Sequence, residues 1–133
     1  ILFVTSAGNA NQDSTFAEAI PADIVLPNLV AVGAVDQAGD EASFTSYGPT
    51  VLLHANGYQV ESFVPGGRRI ALSGTSMAAP QVTNLAAKML AVKPSLKPDQ
   101  VIEIMRRTAD RSEDGRRTLI HPARALAAVG YTP

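Results

Sequence analysis

The sequence predicts an α/β fold with a mostly parallel sheet and a buried central helix. Two continuous apolar runs, Ile1–Thr5 and Leu29–Val35, have the composition of strands that are covered on both faces, as in a parallel sheet. A helical pattern runs from Thr75 to about Val92, and small or apolar residues cover most of its circumference. Strands that come first and long helices that come late favour half of an α/β sandwich.

Size and composition fit one domain with a hydrophobic core, and we expect residues 1–133 to form a single partial domain. The chain opens directly on apolar residues and without an initiating Met, which favours a cut through a buried strand. It contains no cysteine, so disulfides and thiolate metal sites are excluded. No apolar run approaches the roughly 18 residues of a membrane span, and the opening residues lack the basic flank of a signal peptide.

Charge is distributed unevenly along the chain. Residues 1–67 hold seven acidic residues and no Lys or Arg, whereas residues 68–133 hold all eleven basic residues and five acidic ones. This favours a solvated surface whose complement lies on a segment outside the chain, and the alternative is an acidic rim that attracts basic substrates. Nucleic-acid binding is disfavoured, because the arginines from Arg106 to Arg124 alternate with acidic residues and lack accompanying stacking aromatics.

The other elements are short and are separated by loops rich in Gly, Pro, Asn and Asp. A Pro-Gly-Gly segment between two β-capable runs is typical of a hairpin, and the residues after Pro98 show helical spacing. The predicted elements are a strand at Val51–His54, hairpin strands at Gln59–Val64 and Arg69–Ser73, a helix after Pro98 that buries Val101, Ile102, Ile104 and Met105, a polar loop at Asp110–Arg117, and a terminal helix at Pro122–Val129.

Ser76 stands at the mouth of the long helix. A helix N-terminus is electropositive and presents unpaired N–H groups, so a serine there can act as a nucleophile whose anionic intermediate those donors hold. The alternative is that Ser76 is only a helix N-cap. Pro80 removes one N–H about a turn inside the helix, which a helix used only for packing does not need.

Asn9 follows the first predicted strand in the segment Val4-Thr5-Ser6-Ala7-Gly8-Asn9. In open α/β sheets, binding sites lie at the carboxyl ends of the strands. A Gly-Asn pair alone indicates only a turn, but here it places a side-chain amide at that end of the sheet.

Several segments resemble the subtilisin-like serine proteases. Gly74-Thr75-Ser76-Met77-Ala78-Ala79-Pro80 is similar to the nucleophile motif of that family, and the segment ending at Asn9 is similar to its oxyanion segment. Asn28–Asp36 and Phe44–Gly48 resemble two further family segments. The resemblance covers nearly the whole chain and implies the C-terminal half of a subtilisin-like three-layer sandwich.

The resemblance also implies roles for individual residues. It implies peptide-bond hydrolysis through an acyl-enzyme on Ser76, with the Asn9 side chain and the Ser76 N–H as oxyanion donors and the Thr75 hydroxyl assisting them. Ser6, Ala7 and Gly8 would line one wall of the primary specificity pocket. The family resemblance further implies a peptide or protein substrate and a secreted or extracytoplasmic protein. The charge pattern and the lack of a long apolar run predict no nucleic-acid or membrane partner.

The chain departs from the family pattern at three places. Gln81 stands where the family usually has His, and Ala55-Asn56-Gly57 stands where it has Ala-Pro-Gly. The segments that supply the family's catalytic Asp and His are absent. We expect His54 to be partly exposed on a strand and His121 to start the last helix, and neither is the expected base.

We therefore expect the isolated chain to be inactive, and to pair with the missing N-terminal half or with itself. Two alternatives remain at this point, a non-catalytic subtilase-like binding or scaffold module and an unrelated α/β domain whose Ser76 is a cap. The chemistry requires no cofactor. Asp13, Glu18 and Asp23 could supply oxygen ligands to a structural calcium ion, which many relatives bind, or could form a solvated acidic loop.

Overall fold

The computed structural model describes all residues from 1 to 133 and contains a five-stranded sheet, a separate hairpin and three helices. The sheet has the order β1-β2-β3-β7-β6, and its first four strands are parallel to one another. The elements are β1 Phe3–Ser6, β2 Leu29–Val35, β3 Val51–Asn56, β4 Val60–Phe63, β5 Arg69–Leu72, α1 Thr75–Val92, α2 Pro98–Thr108, β6 Asp110–Arg111, β7 Thr118–Leu119 and α3 Pro122–Ala128. The predicted α/β class and mostly parallel sheet are confirmed.

The main core lies between the sheet and the helices. Alternate residues of β2 (Val30, Val32, Ala34) point to this side, as strand geometry requires. The helices meet them with residues that are buried, among them Val82 and Met89 of α1. Strand β2 pairs with both β1 and β3, and residues Val30 to Val35 are buried on both of its faces, as the sequence predicted.

The first strand is less buried than predicted. Strand β1 begins at Phe3 rather than Ile1, and Ile1 and Phe3 are 92% and 54% exposed. The physical reason is its position: β1 is the edge of the sheet and pairs only with β2. A continuous apolar run thus indicates strand character but does not guarantee a neighbour on each side.

Helix α1 has the predicted bounds, Thr75–Val92, but one face of it is open. Thr75, Ala78, Val82, Leu85, Ala86 and Met89 are buried, whereas Ser76, Pro80, Asn84 and Lys88 are exposed. The prediction of a largely buried helix was therefore wrong for this second face. Small residues, which are compatible with burial anywhere, hid the amphipathic character of the helix.

Smaller differences concern the ends of elements and the burial of one helix residue. Strand β3 extends two residues further, to Asn56. The polar segment at 110–117 contributes the two-residue strand β6, which pairs antiparallel with β7. In α2, Ile104 is half-buried while Val101, Ile102 and Met105 are buried as expected, and α3 ends at Ala128.

Acidic and basic halves of the chain meet within the fold. Arg116 lies 3.1 Å from Glu41 and its guanidinium lies 4.0 Å from the centre of the Tyr47 ring. Arg69 pairs with Glu61 across the hairpin at 2.8 Å. The complement of the acidic half therefore lies partly inside this chain, contrary to the sequence-based expectation. None of the helices is both long enough and apolar enough to cross a membrane.

Candidate active site

Two segments that are 66 residues apart in sequence meet at the carboxyl end of β1. The Asn9 Oδ1 atom accepts hydrogen bonds from the backbone N–H and from the hydroxyl of Thr75, both at 2.8 Å. The Thr75 hydroxyl in turn accepts from the N–H of Gly8 at 3.1 Å. This network is partly buried and joins the end of the first strand to the first turn of α1.

The network also fixes the direction of the Asn9 amide. A backbone N–H can only donate, so the atom that Thr75 contacts must be the carbonyl oxygen of Asn9. The Nδ2 group of Asn9 then points away from Thr75, and its two N–H groups make no hydrogen bond to the protein. Asn9 is exposed, so these donors are open to a ligand.

Ser76 is not the capping residue of its helix. Gly74 occupies the N-cap position, and no side chain makes a capping hydrogen bond there. Ser76 is the second residue of the helix and is exposed. Neither its hydroxyl nor its N–H makes a hydrogen bond within the protein. The interpretation of Ser76 as a simple cap is therefore wrong, and a free hydroxyl stands at the positive end of the helix dipole.

Two glycines let three backbone segments approach one another here. The Gly74 N–H donates to the Gly57 carbonyl at 2.8 Å. A Cβ at position 57 would lie 2.7 Å from the Gly74 oxygen, and a Cβ at position 74 would lie 3.3 Å from Asn9 Nδ2. A side chain at Gly57 would push against the turn before α1, and one at Gly74 would crowd the Asn9 amide.

The residues before Asn9 are held in place by backbone hydrogen bonds. Ser6 is the last residue of β1, and the Ala7 N–H continues the parallel pairing by donating to the Val32 carbonyl at 2.9 Å. The Gly8 carbonyl accepts from the Ser46 N–H at 2.9 Å. Ala7 is only 3% exposed, so its side chain packs inward, and the Gly8 N–H is the backbone group that meets the Thr75 hydroxyl.

His54 is buried, and the expectation of partial exposure was wrong. Its Nδ1 accepts from the Thr118 N–H at 3.1 Å, and its Nε2 lies 3.7 Å from Glu41 Oε1 without a hydrogen bond. Burial, together with the nearby Arg117 and Arg116 charges, lowers the pKa of His54 to about 4. The other Glu41 oxygen is paired with Arg116 Nε at 3.1 Å.

His121 occupies the N-cap of α3, as expected for a polar residue at a helix start. Its Nδ1 accepts from the Arg124 N–H at 3.2 Å. Neither histidine makes a hydrogen bond to Ser76.

The acidic residues of the first long loop do not form a shared ligand set. Asp13 accepts from the Thr15 N–H at 2.8 Å, a bond that holds the pKa of its carboxyl below the ordinary value. Asp23 accepts from the Ala19 N–H and from the Thr50 hydroxyl, and Glu18 makes no hydrogen bond. No group of three or more His, Cys, Asp or Glu side chains is arranged to hold a metal ion, and the three carboxylates do not fit a calcium site as a set.

Sequence reasoning missed an apolar groove that begins at Ser76. The groove has a volume of about 360 Å³ and lies between the β4–β5 hairpin and α1. Phe63 and Leu72 of the hairpin line it and are 71% and 45% exposed. The only sequence signal was the apolar content of both hairpin strands beside the nucleophile motif. A larger cleft of about 470 Å³, lined by Arg106, Arg111 and Arg116, contains none of the residues of the Ser76 site.

Comparison of the sequence with known proteins shows which family the chain belongs to. A model of the subtilase family matches residues 1–130. The chain is 38% identical over 109 residues to the thermostable alkaline protease of Halalkalibacterium halodurans, covering 82% of this chain and 29% of the relative. It is 37% identical over 110 residues to subtilisin E of Bacillus subtilis, covering 82% of this chain and 28% of the relative.

Solved structures agree with these sequence relatives. A protease from Pseudoalteromonas arctica superposes with a TM-score of 0.86 at 27% identity, over 97% of this chain and 43% of that one. A cold-adapted subtilisin-like serine proteinase superposes with a TM-score of 0.82 at 31% identity, over 91% of this chain and 45% of that one. The chain thus spans less than half the length of these relatives, and it belongs to the subtilase family of serine proteases.

Proposed function

We propose that this chain is the C-terminal part of the catalytic domain of a subtilisin-like serine endopeptidase, with Ser76 as its nucleophile. One observation carries the proposal. The Ser76 hydroxyl, the Ser76 N–H and the Asn9 Nδ2 donors are all free at one exposed corner, while the Asn9 oxygen is tied to Thr75. A polar corner that holds its own donors in place and leaves them unused is suited to a ligand that develops negative charge.

The proposed reaction proceeds through an acyl-enzyme. The Ser76 Oγ attacks the scissile carbonyl carbon, and its proton passes to a histidine supplied by the part of the domain outside this chain. The carbonyl oxygen becomes an oxyanion that accepts from the Ser76 N–H and from Asn9 Nδ2. Collapse breaks the C–N bond, the amine leaves with the proton from that histidine, and water then hydrolyses the ester. Each oxyanion donor contributes about 3–4 kcal/mol to transition-state stabilisation.

Binding of the peptide uses the surroundings of Ser76. We infer that the Ser6–Gly8 backbone forms one wall of the pocket for the side chain before the scissile bond, with the Thr75 hydroxyl holding Asn9 in position. All the groups in this mechanism are protein groups, so it requires no cofactor, and a calcium ion would have a structural role only. A secreted or extracytoplasmic location is part of the same family-based proposal.

Surface area supports the need for a partner. The chain exposes 7599 Å², whereas a folded monomer of 13.9 kDa is expected to expose about 6,700 Å². The excess is close to the roughly 800 Å² that each partner loses in a standard interface. Phe3, Phe16 and Phe63 are all more than half exposed, which supports burial against the N-terminal half of the domain or a second copy.

A fluorophosphonate probe tests the proposal in the complete protein that carries this chain. We expect the probe to label Ser76, and Ser76→Ala to abolish both labelling and peptide hydrolysis. Ser73→Ala is the matched control, because Ser73 is exposed nearby and its hydroxyl only accepts from the Gln59 N–H. Residues 1–133 alone should hydrolyse no peptide at a useful rate. A folded complete protein that resists labelling would instead be the non-catalytic binding or scaffold module.

A further inference from the structure

Two positions at which the chain departs from the family pattern are in direct contact. The Gln81 Nε2 group donates to the Asn56 carbonyl at 2.5 Å and to the Met77 carbonyl at 3.2 Å. Both side-chain N–H groups of Gln81 are therefore used on backbone oxygens. Gln81 is half-buried on α1 beside the groove that begins at Ser76.

The first turn of α1 depends on contacts outside the helix. Pro80 lies inside α1 and has no N–H, so the Ser76 carbonyl lacks its usual partner four residues on. This loosens the turn that carries Ser76 from the rest of the helix. Its position must then be set by other elements, and Thr75 is already held by Asn9.

The end of β3 holds this turn from two adjacent residues. The Gly57 carbonyl accepts from the Gly74 N–H at 2.8 Å, just before the helix. The Asn56 carbonyl accepts from Gln81, just after Pro80. The end of β3 is itself fixed to the centre of the sheet, because Asn56 pairs with Val35 and the Gly57 N–H donates to the Val35 carbonyl at 2.9 Å.

We propose that Gln81 is a positioning residue that fixes the direction of the Ser76 turn against the end of β3. The inference rests on the proposed function, since it gives Ser76 its role. Gln81 does not touch the reacting atoms, because both its donors are spent on Asn56 and Met77. Its effect is to hold the Ser76 N–H where it converges with Asn9 Nδ2.

Amide hydrogen exchange in the complete protein tests this role without requiring activity. Gln81→Glu keeps the size of the side chain and removes the donors, and Gln81→Met removes them without adding charge. We expect exchange at the Gly74 and Thr75 amides to accelerate about tenfold in both variants, because they lose the one side-chain hydrogen bond that joins Gln81 to the end of β3. Amides in the second half of α1, such as that of Met89, should change less than twofold.

Asn84→Asp is the matched control. It introduces the same amide-to-carboxylate change one turn along, in the same groove, at a side chain that makes no hydrogen bond. We expect its Gly74 exchange to stay within twofold of the parent rate. Unchanged exchange at Gly74 and Thr75 in both Gln81 variants, or equal acceleration along all of α1, would overturn the proposal.

Kinetics separate this inference from the proposed function. In an active protein we expect the Gln81 variants to lower kcat at least tenfold with KM within threefold, because donor geometry matters most in the transition state. A kcat that is unchanged despite faster Gly74 exchange would overturn the positioning role. If the parent protein itself is not labelled at Ser76, the proposed function fails, and the exchange data still decide whether Gln81 holds the turn.

Discussion

The corner around Ser76 and the pocket around His54 both pack polar side chains beside glycines, but they leave those polar groups in opposite situations. At the corner, Thr75 binds one end of the Asn9 amide and leaves the other end open at the surface. In the pocket, His54 Nε2 and Glu41 Oε1 lie 3.7 Å apart, and both atoms are buried without a hydrogen-bond partner. The Asn9 donors are held in place and exposed, so a ligand can reach them. The buried His54 and Glu41 atoms are closed to a ligand and affect the stability of the fold.

The same contrast appears in the supporting glycines. Gly74 and Gly57 give room to a backbone approach that places the Asn9 donors beside Ser76. Gly33 gives room to the His54 ring, since a Cβ there would lie 2.6 Å from the imidazole.

The largest effect is expected when the corner loses its side-chain donor. In the complete protein, Asn9→Ala should lower kcat/KM about 10²–10³-fold, since it removes one oxyanion donor. Steady-state kinetics on a peptide substrate measure this, with Gln12→Ala as the control because its exposed side chain makes no hydrogen bond. Equal losses in both variants would remove the distinction between the corner and its surroundings.

The second-largest effect is expected from acid, which should lower the free energy of unfolding through His54. The pKa of His54 is about 4 in the fold and 6.5 in an unfolded chain, so the unfolded state binds more protons between these values. The free energy of unfolding is therefore highest above about pH 6.5, and it falls by up to about 3 kcal/mol as the pH drops toward 4. Urea unfolding across this range measures it.

His54→Gln provides the comparison for the acid effect. This variant cannot take up the proton and should lose the pH dependence between 6.5 and 4. The lowered pKa values of Asp13, Asp110 and Asp114 act in a different window, below about pH 4, because their ordinary value is 3.8. An identical slope between pH 6.5 and 4 in both proteins would show that another group titrates.

A methyl group in the pocket should destabilise the fold without touching the corner. Gly33→Ala places a Cβ against the His54 ring and should cost about 1–3 kcal/mol in unfolding free energy, as overpacked cores do. Adding His54→Ala should recover part of that cost, since the clash disappears. Additive losses in the double variant would contradict the assigned contact.

The smallest expected effects come from surface charges. Arg69→Gln breaks an ion pair whose side chains are 60% and 63% exposed. The free energy of unfolding should therefore change by less than about 0.5 kcal/mol. Arg116→Gln should cost more, because Glu41 is only 20% exposed and Arg116 also stacks on Tyr47. Parallel urea titrations compare the two variants, and a larger loss for Arg69→Gln would be inconsistent with this ranking.

Local patterns predicted the longest strand and the longest helix of the fold. Strand β2 and helix α1 were predicted with their observed bounds, because a long apolar run and a helical spacing ended by Pro94 are signals within the segment itself. The exposure of β1 and the pairing of β6 were not predictable in this way. Both depend on which strands become neighbours, and two-residue strands carry no periodicity.

The site was predictable only in part for the same reason. The segments of Asn9 and Ser76 carried recognisable motifs, but their hydrogen bonds through Thr75 are tertiary contacts. The burial of His54 depends on Gly33, Glu41 and Thr118, which no spacing rule connects. The contact between Gln81 and Asn56 likewise joins two positions that looked independent in the sequence.

The most direct test of the account is a crystal structure of the complete protein with a peptide phosphonate. Covalent attachment to Ser76 Oγ is predicted, with one phosphonyl oxygen about 2.7–3.1 Å from both the Ser76 nitrogen and Asn9 Nδ2. An adduct on another residue, or an adduct on Ser76 whose oxygens contact neither donor, would contradict it.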